Sequence, residues 1–262
     1  MPALIDFQNV TVVRGAGEAG AAALDHLSLH IAAGEYACVL GPNGCGKSTL
    51  IKTITRECYP LASPDSSAKI LGRERWDIFE LRNFLGVVSP DVLASCTSDA
   101  TGRDVVLSGF FSSTRIFPHH HPSGDLVRRA EKALERVGVG HLADRALSQM
   151  SSGEAKRALI ARALVHDPQS LLFDEPSNAL DIAAQFQLRD TMRALAQSRV
   201  GILLVTHHVS EIIPEIARVL LMKSGRIVAD GPKEHVLTAG NLSDLFAVTV
   251  RVVETDGYFH IL

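Results

Sequence analysis

No stretch of this 262-residue chain approaches the roughly 20 consecutive apolar residues that a helix needs to span a bilayer; runs such as Val200–Val205 fall far short. The opening MPALIDFQNV lacks the basic start and apolar middle of a signal peptide, so a cytoplasmic protein is expected. Four cysteines, at 38, 45, 58 and 96, show neither C-x-x-C spacing nor a metal or disulfide framework, which fits a reducing compartment. Formal net charge is −3 and no long basic stripe occurs, which disfavours a broad nucleic-acid footprint; no nucleic-acid partner is expected. Internal repeats and low-complexity tracts are absent too. What the chain has is 46% hydrophobic and 21% charged residues, the balance of a globular protein with ample core.

Its most informative stretch is Gly41-Pro42-Asn43-Gly44-Cys45-Gly46-Lys47-Ser48-Thr49, which matches the phosphate-loop pattern G-x-x-x-x-G-K-[ST]. Glu35–Leu40 reads as a buried strand before it, and Ser48–Ile54 as the first turns of a helix after it. Glycines at 41, 44 and 46 let the backbone wrap a polyphosphate, with N–H groups and the positive helix end converging on the anion. Lys47 adds a full charge at the β/γ-phosphates and Ser48 a hydroxyl for Mg²⁺. Cys45 lies inside this loop, where Lys47 and the helix start favour a thiolate; thiol alkylation is therefore expected to block nucleotide binding.

Strand-like segments at Ile5–Val13 and Leu24–Ile31, joined by the small-residue loop Gly15–Ala22, imply an antiparallel layer ahead of the phosphate loop. From about 100 to 165 the pattern is helical, with Leu126, Ala130, Ala133, Leu134 and Val137 on one face. Strands at Leu171–Phe173 and Ile202–Val205 bracket a helix at Ile182–Gln197. Hairpins are expected around Ser224-Gly225 and Asp256-Gly257. Leu171-Leu-Phe-Asp-Glu175 ends a hydrophobic strand in two carboxylates, at the strand end where α/β sheets bind ligands. Asp174 is placed to hold Mg²⁺, and Glu175 to polarise a water aimed at the γ-phosphate.

With Met150-Ser151-Ser152-Gly153-Glu154 between these motifs, directly before a helix at Ala155–Val165, the chain resembles the ATP-binding subunits of ABC transporters, whose signature is written LSGGQ. Ser151 or Ser152 with Glu154 also makes a good helix N-terminus. The resemblance covers essentially the whole chain. It implies that Ser151 and Gly153 contact the γ-phosphate of ATP on a second copy, and hence an ATP-sandwich homodimer. It makes Ser177–Asp181 a D-loop whose Asp181 communicates across that dimer, and His207 the switch histidine that senses the γ-phosphate and supports Glu175. Lys47, Glu175 and His207 are then the catalytic set, Ser48 and Asp174 the metal ligands.

Two departures stand out. Where the family stacks an aromatic ring on adenine, this chain has Arg14, whose guanidinium plane can stack instead. Where the family has its Q-loop glutamine, this chain has Pro90; Ser89 or Asp91 can substitute only through water. The run GVVSPDVLAS with Asp104–Ser112 is similar to molybdate-type ATP-binding proteins. His119-His120-His121 suggests metal binding, although adjacent histidines on one loop read more simply as a solvated loop.

The expected fold is α/β, a P-loop NTPase core of mostly parallel sheet with flanking helices, plus an antiparallel β layer and an inserted α-helical subdomain. The expected division is 1–90 and 166–262 for the core and 91–165 for the subdomain. The resemblance implies an ATPase using ATP and Mg²⁺, peripheral on the cytoplasmic face through integral-membrane permease subunits docked near residues 88–115. The alternative is a soluble ABC-type regulatory or repair ATPase without a membrane partner. Two cassettes in one chain or long inserted coiled coils would mark that alternative, and neither is present.

Overall fold

The computed structural model describes residues 3–14 and 21–262. The first half runs β1 (Ala3–Arg14), β2 (Ala21–Ala32), β3 (Tyr36–Leu40), α1 (Lys47–Ile54), β4 (Ser67–Ile70), α2 (Ile78–Leu81), β5 (Leu85–Val88), α3 (Pro90–Ala94), α4 (Gly102–Phe110) and α5 (Gly124–Arg136). The second half runs α6 (Ser152–Ala163), β6 (Ser170–Asp174), α7 (Ile182–Gln197), β7 (Gly201–Thr206), β8 (Arg218–Lys223), β9 (Arg226–Pro232), α8 (Lys233–Val236), α9 (Ala239–Phe246), β10 (Val252–Thr255) and β11 (Tyr258–Ile261). Most of the expected small-residue loop, residues 15–20, lies outside the described residues.

Contacts divide the chain into two compact units, Met1–Leu81 with Gly201–Leu262, and Arg82–Val200. In the first unit, β1 pairs antiparallel with β2 on one side and β4 on the other. Leu4, Ile5, Phe7, Val10 and Val12 of β1 are buried; adjacent Leu4 and Ile5 point to opposite faces, so the start of this strand is covered on both, while Val13 near its end is exposed. In the same unit β3 pairs in parallel with both β7 and β8, and β9 closes the edge antiparallel to β8. Every residue of Ala37–Leu40 and of Gly201–Thr206 is buried, the near-continuous apolar pattern of strands covered on both faces.

In the second unit β5 pairs in parallel with β6, and helices α4 to α7 follow their caps. Thr101 and Asp104 form a capping box at α4, Ser123 caps α5, and Asp181 caps α7. On α5 the expected face holds: Ala130, Ala133 and Leu134 are buried, as is Val137 just beyond, while Leu126 is half-buried. Helix α6 begins at Ser152 rather than at Ala155. The Ser151 hydroxyl accepts from the Glu154 N–H at 3.3 Å, and the Glu154 carboxylate accepts from the Ser151 N–H at 2.8 Å. That capping box pulls the signature residues into the first helical turn.

Candidate nucleotide site

The phosphate loop leaves the end of β3 and enters α1 through Gly46, whose φ of 113° is closed to L side chains. A Cβ there would stand 2.3 Å from the Ala23 carbonyl oxygen, so β2 and the loop approach each other at a distance only glycine permits. Lys47 is buried at 5% exposure, and its Nζ donates to the carbonyls of Gly41 (2.8 Å) and Pro42 (3.0 Å). The ammonium is thus folded back over the loop's own start. Asn43, Gly44 and Ser48 are exposed, which leaves the Ser48 hydroxyl at the surface of the loop, while Thr49 is buried.

Two residues outside the motif hold this loop in place. The Gly41 N–H donates to the carbonyl of Thr206 at 3.1 Å, and the buried Thr206 hydroxyl accepts from the His208 N–H at 3.0 Å. One residue at the end of β7 therefore anchors both the loop's first residue and the segment bearing His207. His207 is half-buried, with its ring 3.8 Å from that of exposed His208. Across the loop, the N–H of Gly225, in the β8–β9 turn, donates to the Cys45 carbonyl at 2.8 Å, and the Gly225 carbonyl accepts from the Asp25 N–H at 3.0 Å. Arg226 and His26 both pair with the Asp25 carboxylate at 2.6–2.8 Å, which holds Asp25 below the usual carboxylate range. Arg14 is exposed at the end of β1, opposite Ala21, two residues up β2 from the strand segment that Gly46 touches.

The second unit carries Asp174, Glu175, Ser151, Gly153 and Asp181. Asp174 ends β6 and Glu175 follows it with φ 43°, a left-handed conformation costing about 1–2 kcal/mol in a residue with a side chain. Ala179, at φ 62°, is a second such residue in the same turn. Asp181 then caps α7, its Oδ1 accepting from the Ala184 N–H at 2.7 Å. Gly153 packs against that helix start: a Cβ on it would stand 2.9 Å from the Ala184 Cβ. Glu154 has its carboxyl pKa lowered, first by the Ser151 N–H it accepts.

A family model described as ABC transporter matches residues 24–178, more than half of the chain. The chain belongs to the ABC transporter family. It is similar to the hemin import ATP-binding protein HmuV of Hahella chejuensis, 34% identical over 240 residues, covering 88% of this chain and 89% of that protein. Likewise it is 34% identical to the glutamate transport ATP-binding protein GluA of Corynebacterium efficiens over 217 residues, covering 82% and 87%. Among solved structures, a dimeric bacterial ABC transporter cassette superposes with a TM-score of 0.71 at 25% identity, covering 87% of this chain and 98% of that one. The protein is an ABC-type ATPase, and its α/β fold with an antiparallel layer is that of the family.

Against that family, Pro90 is the first residue of α3, and Ser89 is its N-cap, its hydroxyl accepting from the Val92 N–H at 3.3 Å. Ser89 is buried and committed to the helix start, whereas Asp91 is exposed. The Cys45 thiol departs from the sequence expectation as well. It is 5% exposed, with its Sγ 2.7 Å from where a Gly41 Cβ would stand, because the loop turns it inward under its own backbone. Alkylation of the folded loop needs that packing to open first. The His119–His121 segment is held by rings: His120 stacks on Phe111 at 4.2 Å and its Nδ1 accepts from the Phe117 N–H, while burial lowers its pKa. Among the described residues no cluster of three or more His, Cys, Asp or Glu is arranged to hold a metal, and no helix is long and apolar enough to cross a membrane.

Proposed function

We propose that this ABC ATPase hydrolyses MgATP in a head-to-tail homodimer and so drives separate integral-membrane permease subunits from the cytoplasmic face. The observation that carries the reading is the phosphate loop with its buried Lys47, in a chain that also bears a capped signature helix and the Asp174-Glu175 strand end. Lys47 and the loop amides of residues 41–49 meet phosphate charge. The exposed Ser48 hydroxyl and the Asp174 carboxylate are hard oxygen donors, the kind Mg²⁺ takes. Mg²⁺ entering with ATP would supply charge neutralisation at the phosphates. Glu175 orients the attacking water, His207 reads the γ-phosphate, and Arg14 lies flat on the adenine.

Ser151 and Gly153 of one copy reach the nucleotide on the other, with Asp181 beside them; the dimeric architecture of the similar cassette supports this arrangement. The same homology favours a transport role over a soluble regulatory or repair ATPase. The likeness around GVVSPDVLAS suggests molybdate as cargo, while similar proteins are described for hemin import and for glutamate transport. Glu175→Gln tests the reading. Expected is retained ATP binding, an ATP-trapped dimer by light scattering, and phosphate release down by about 10²-fold or more. Near-normal turnover or a strict monomer at saturating MgATP refutes it.

A further inference from the structure

Lys156 lies one turn into α6 and is 8% exposed. Its Nζ donates to the carbonyl oxygen of Pro176 at 2.6 Å and to that of Asn178. Both carbonyls belong to the turn between Glu175 and Asp181, where Asn178 N–H returns to the Glu175 carbonyl at 3.1 Å and Leu180 N–H to that of Ser177 at 3.0 Å. This turn carries the two left-handed residues, Glu175 and Ala179, and so needs an outside contact to hold its shape. Two carbonyl dipoles that converge on one point repel each other unless a donor sits between them; the ammonium is that donor. Lys156 also lines a cavity of about 10 Å³, room for one water, together with Ser89, Pro90, Asp174 and Glu175.

We propose that Lys156 is a positioning residue for hydrolysis: it clamps the Glu175–Asp181 turn to the signature helix, so that Glu175, Asp181 and the Ser151–Gly153 tip move as one piece. Packing of Gly153 on Ala184 makes the second contact of this clamp. Its place beside Pro90 matters, because the helix start at Pro90 has a ring where the family resemblance calls for a glutamine, and the polar side chain reaching this cavity from α6 is Lys156. The proposal rests on the roles given above to Glu175 and Asp181.

Steady-state ATPase kinetics on three variants decide it. For Lys156→Met, kcat is expected to fall about 10–100-fold with KM for ATP within about twofold, since the donors positioned the turn and not the phosphate loop. Lys156→Gln keeps two N–H donors without the charge, and is expected to restore kcat to within about threefold of the parent. A methionine variant within about twofold of the parent in kcat, or a glutamine variant as impaired as the methionine one, overturns the proposal. If the methionine variant does not fold, the glutamine variant decides: near-parental kcat supports the clamp, and a folded but impaired protein refutes it. Glu175→Gln in the same assay separates the two readings, because full turnover there defeats the role of Glu175 whatever Lys156 does.

Discussion

Replacing Gly225 by alanine isolates the brace behind the phosphate loop. Gly225 has φ 77° and is buried in the β8–β9 turn. An alanine Cβ would stand 2.9 Å from the Ala23 carbonyl oxygen, 3.0 Å from the Asp25 nitrogen and 3.2 Å from the Leu24 Cα. All three are backbone atoms, so β2 or the turn must shift by tenths of an ångström. The left-handed conformation costs alanine about 1 kcal/mol and the overlap about 1–3 kcal/mol more, for a loss of roughly 2–4 kcal/mol. In a protein this size that lowers the melting temperature by roughly 5–15 °C. The shift also stretches the Gly225 N–H to Cys45 carbonyl bond, and KM for ATP is expected to rise about tenfold as the loop relaxes. The neighbour gives an opposite sign. Ser224 is exposed with φ 49°, so Ser224→Gly relieves about 1–2 kcal/mol of strain against about 0.5–1 kcal/mol of added chain entropy, a small net gain. Scanning calorimetry with ATP titration reads both. A Gly225→Ala protein that melts within about 2 °C of the parent and keeps its ATP affinity would refute the argument.

Ser151→Ala removes the capping box of α6 and is expected to cost about 1 kcal/mol at neutral pH by urea unfolding. Because the Glu154 carboxyl is held below its ordinary 4.5, its stabilisation is complete above that value and is lost as pH falls through the lowered folded-state pKa; the Glu154→Gln melting curve should therefore be flatter on the acid side, whereas Ser151→Ala, which keeps the 151 N–H, should retain most of the slope. Arg218 grips Asp230 with two bonds of 2.7 Å, Glu35 at 3.0 Å and the His30 carbonyl at 2.9 Å, and these carboxylates raise its pKa further. Arg218→Met is expected to lose about 1–3 kcal/mol after solvent screening, measured by urea unfolding at low and high salt, with the smaller loss at high salt. In a thiol-reagent time course, half-buried Cys58 should react before Cys38 and Cys45, which are both buried; rapid labelling of Cys45 in the folded protein would contradict its inward packing.

The phosphate loop was legible because strand, glycines, lysine and helix start are contiguous, so local chemistry determines them. The capped helices and the Ser224-Gly225 hairpin were legible for the same reason. Gly225's grip on Cys45, Thr206's hold on Gly41 and Lys156's bonds to the Glu175–Asp181 turn were not. Each joins residues 20 to 180 positions apart, and no periodicity marks a backbone carbonyl as a partner. The signature helix start was misplaced by three residues because Gly153 argues against helix, whereas the Ser151–Glu154 cap and the contact with Ala184 override that preference. Cys45 misled for a different reason: its position in the motif suggests reactivity, and only the fold of the loop decides which way the thiol turns.

Thr206 joins the loop's first residue to the histidine segment through a single strand end. A displacement of that strand tip moves Gly41 and the His207–His208 segment together, without a relay of intervening side chains. Damage at Thr206 should accordingly weaken grip and readout in parallel, a signature that sets it apart from injuries confined to either one.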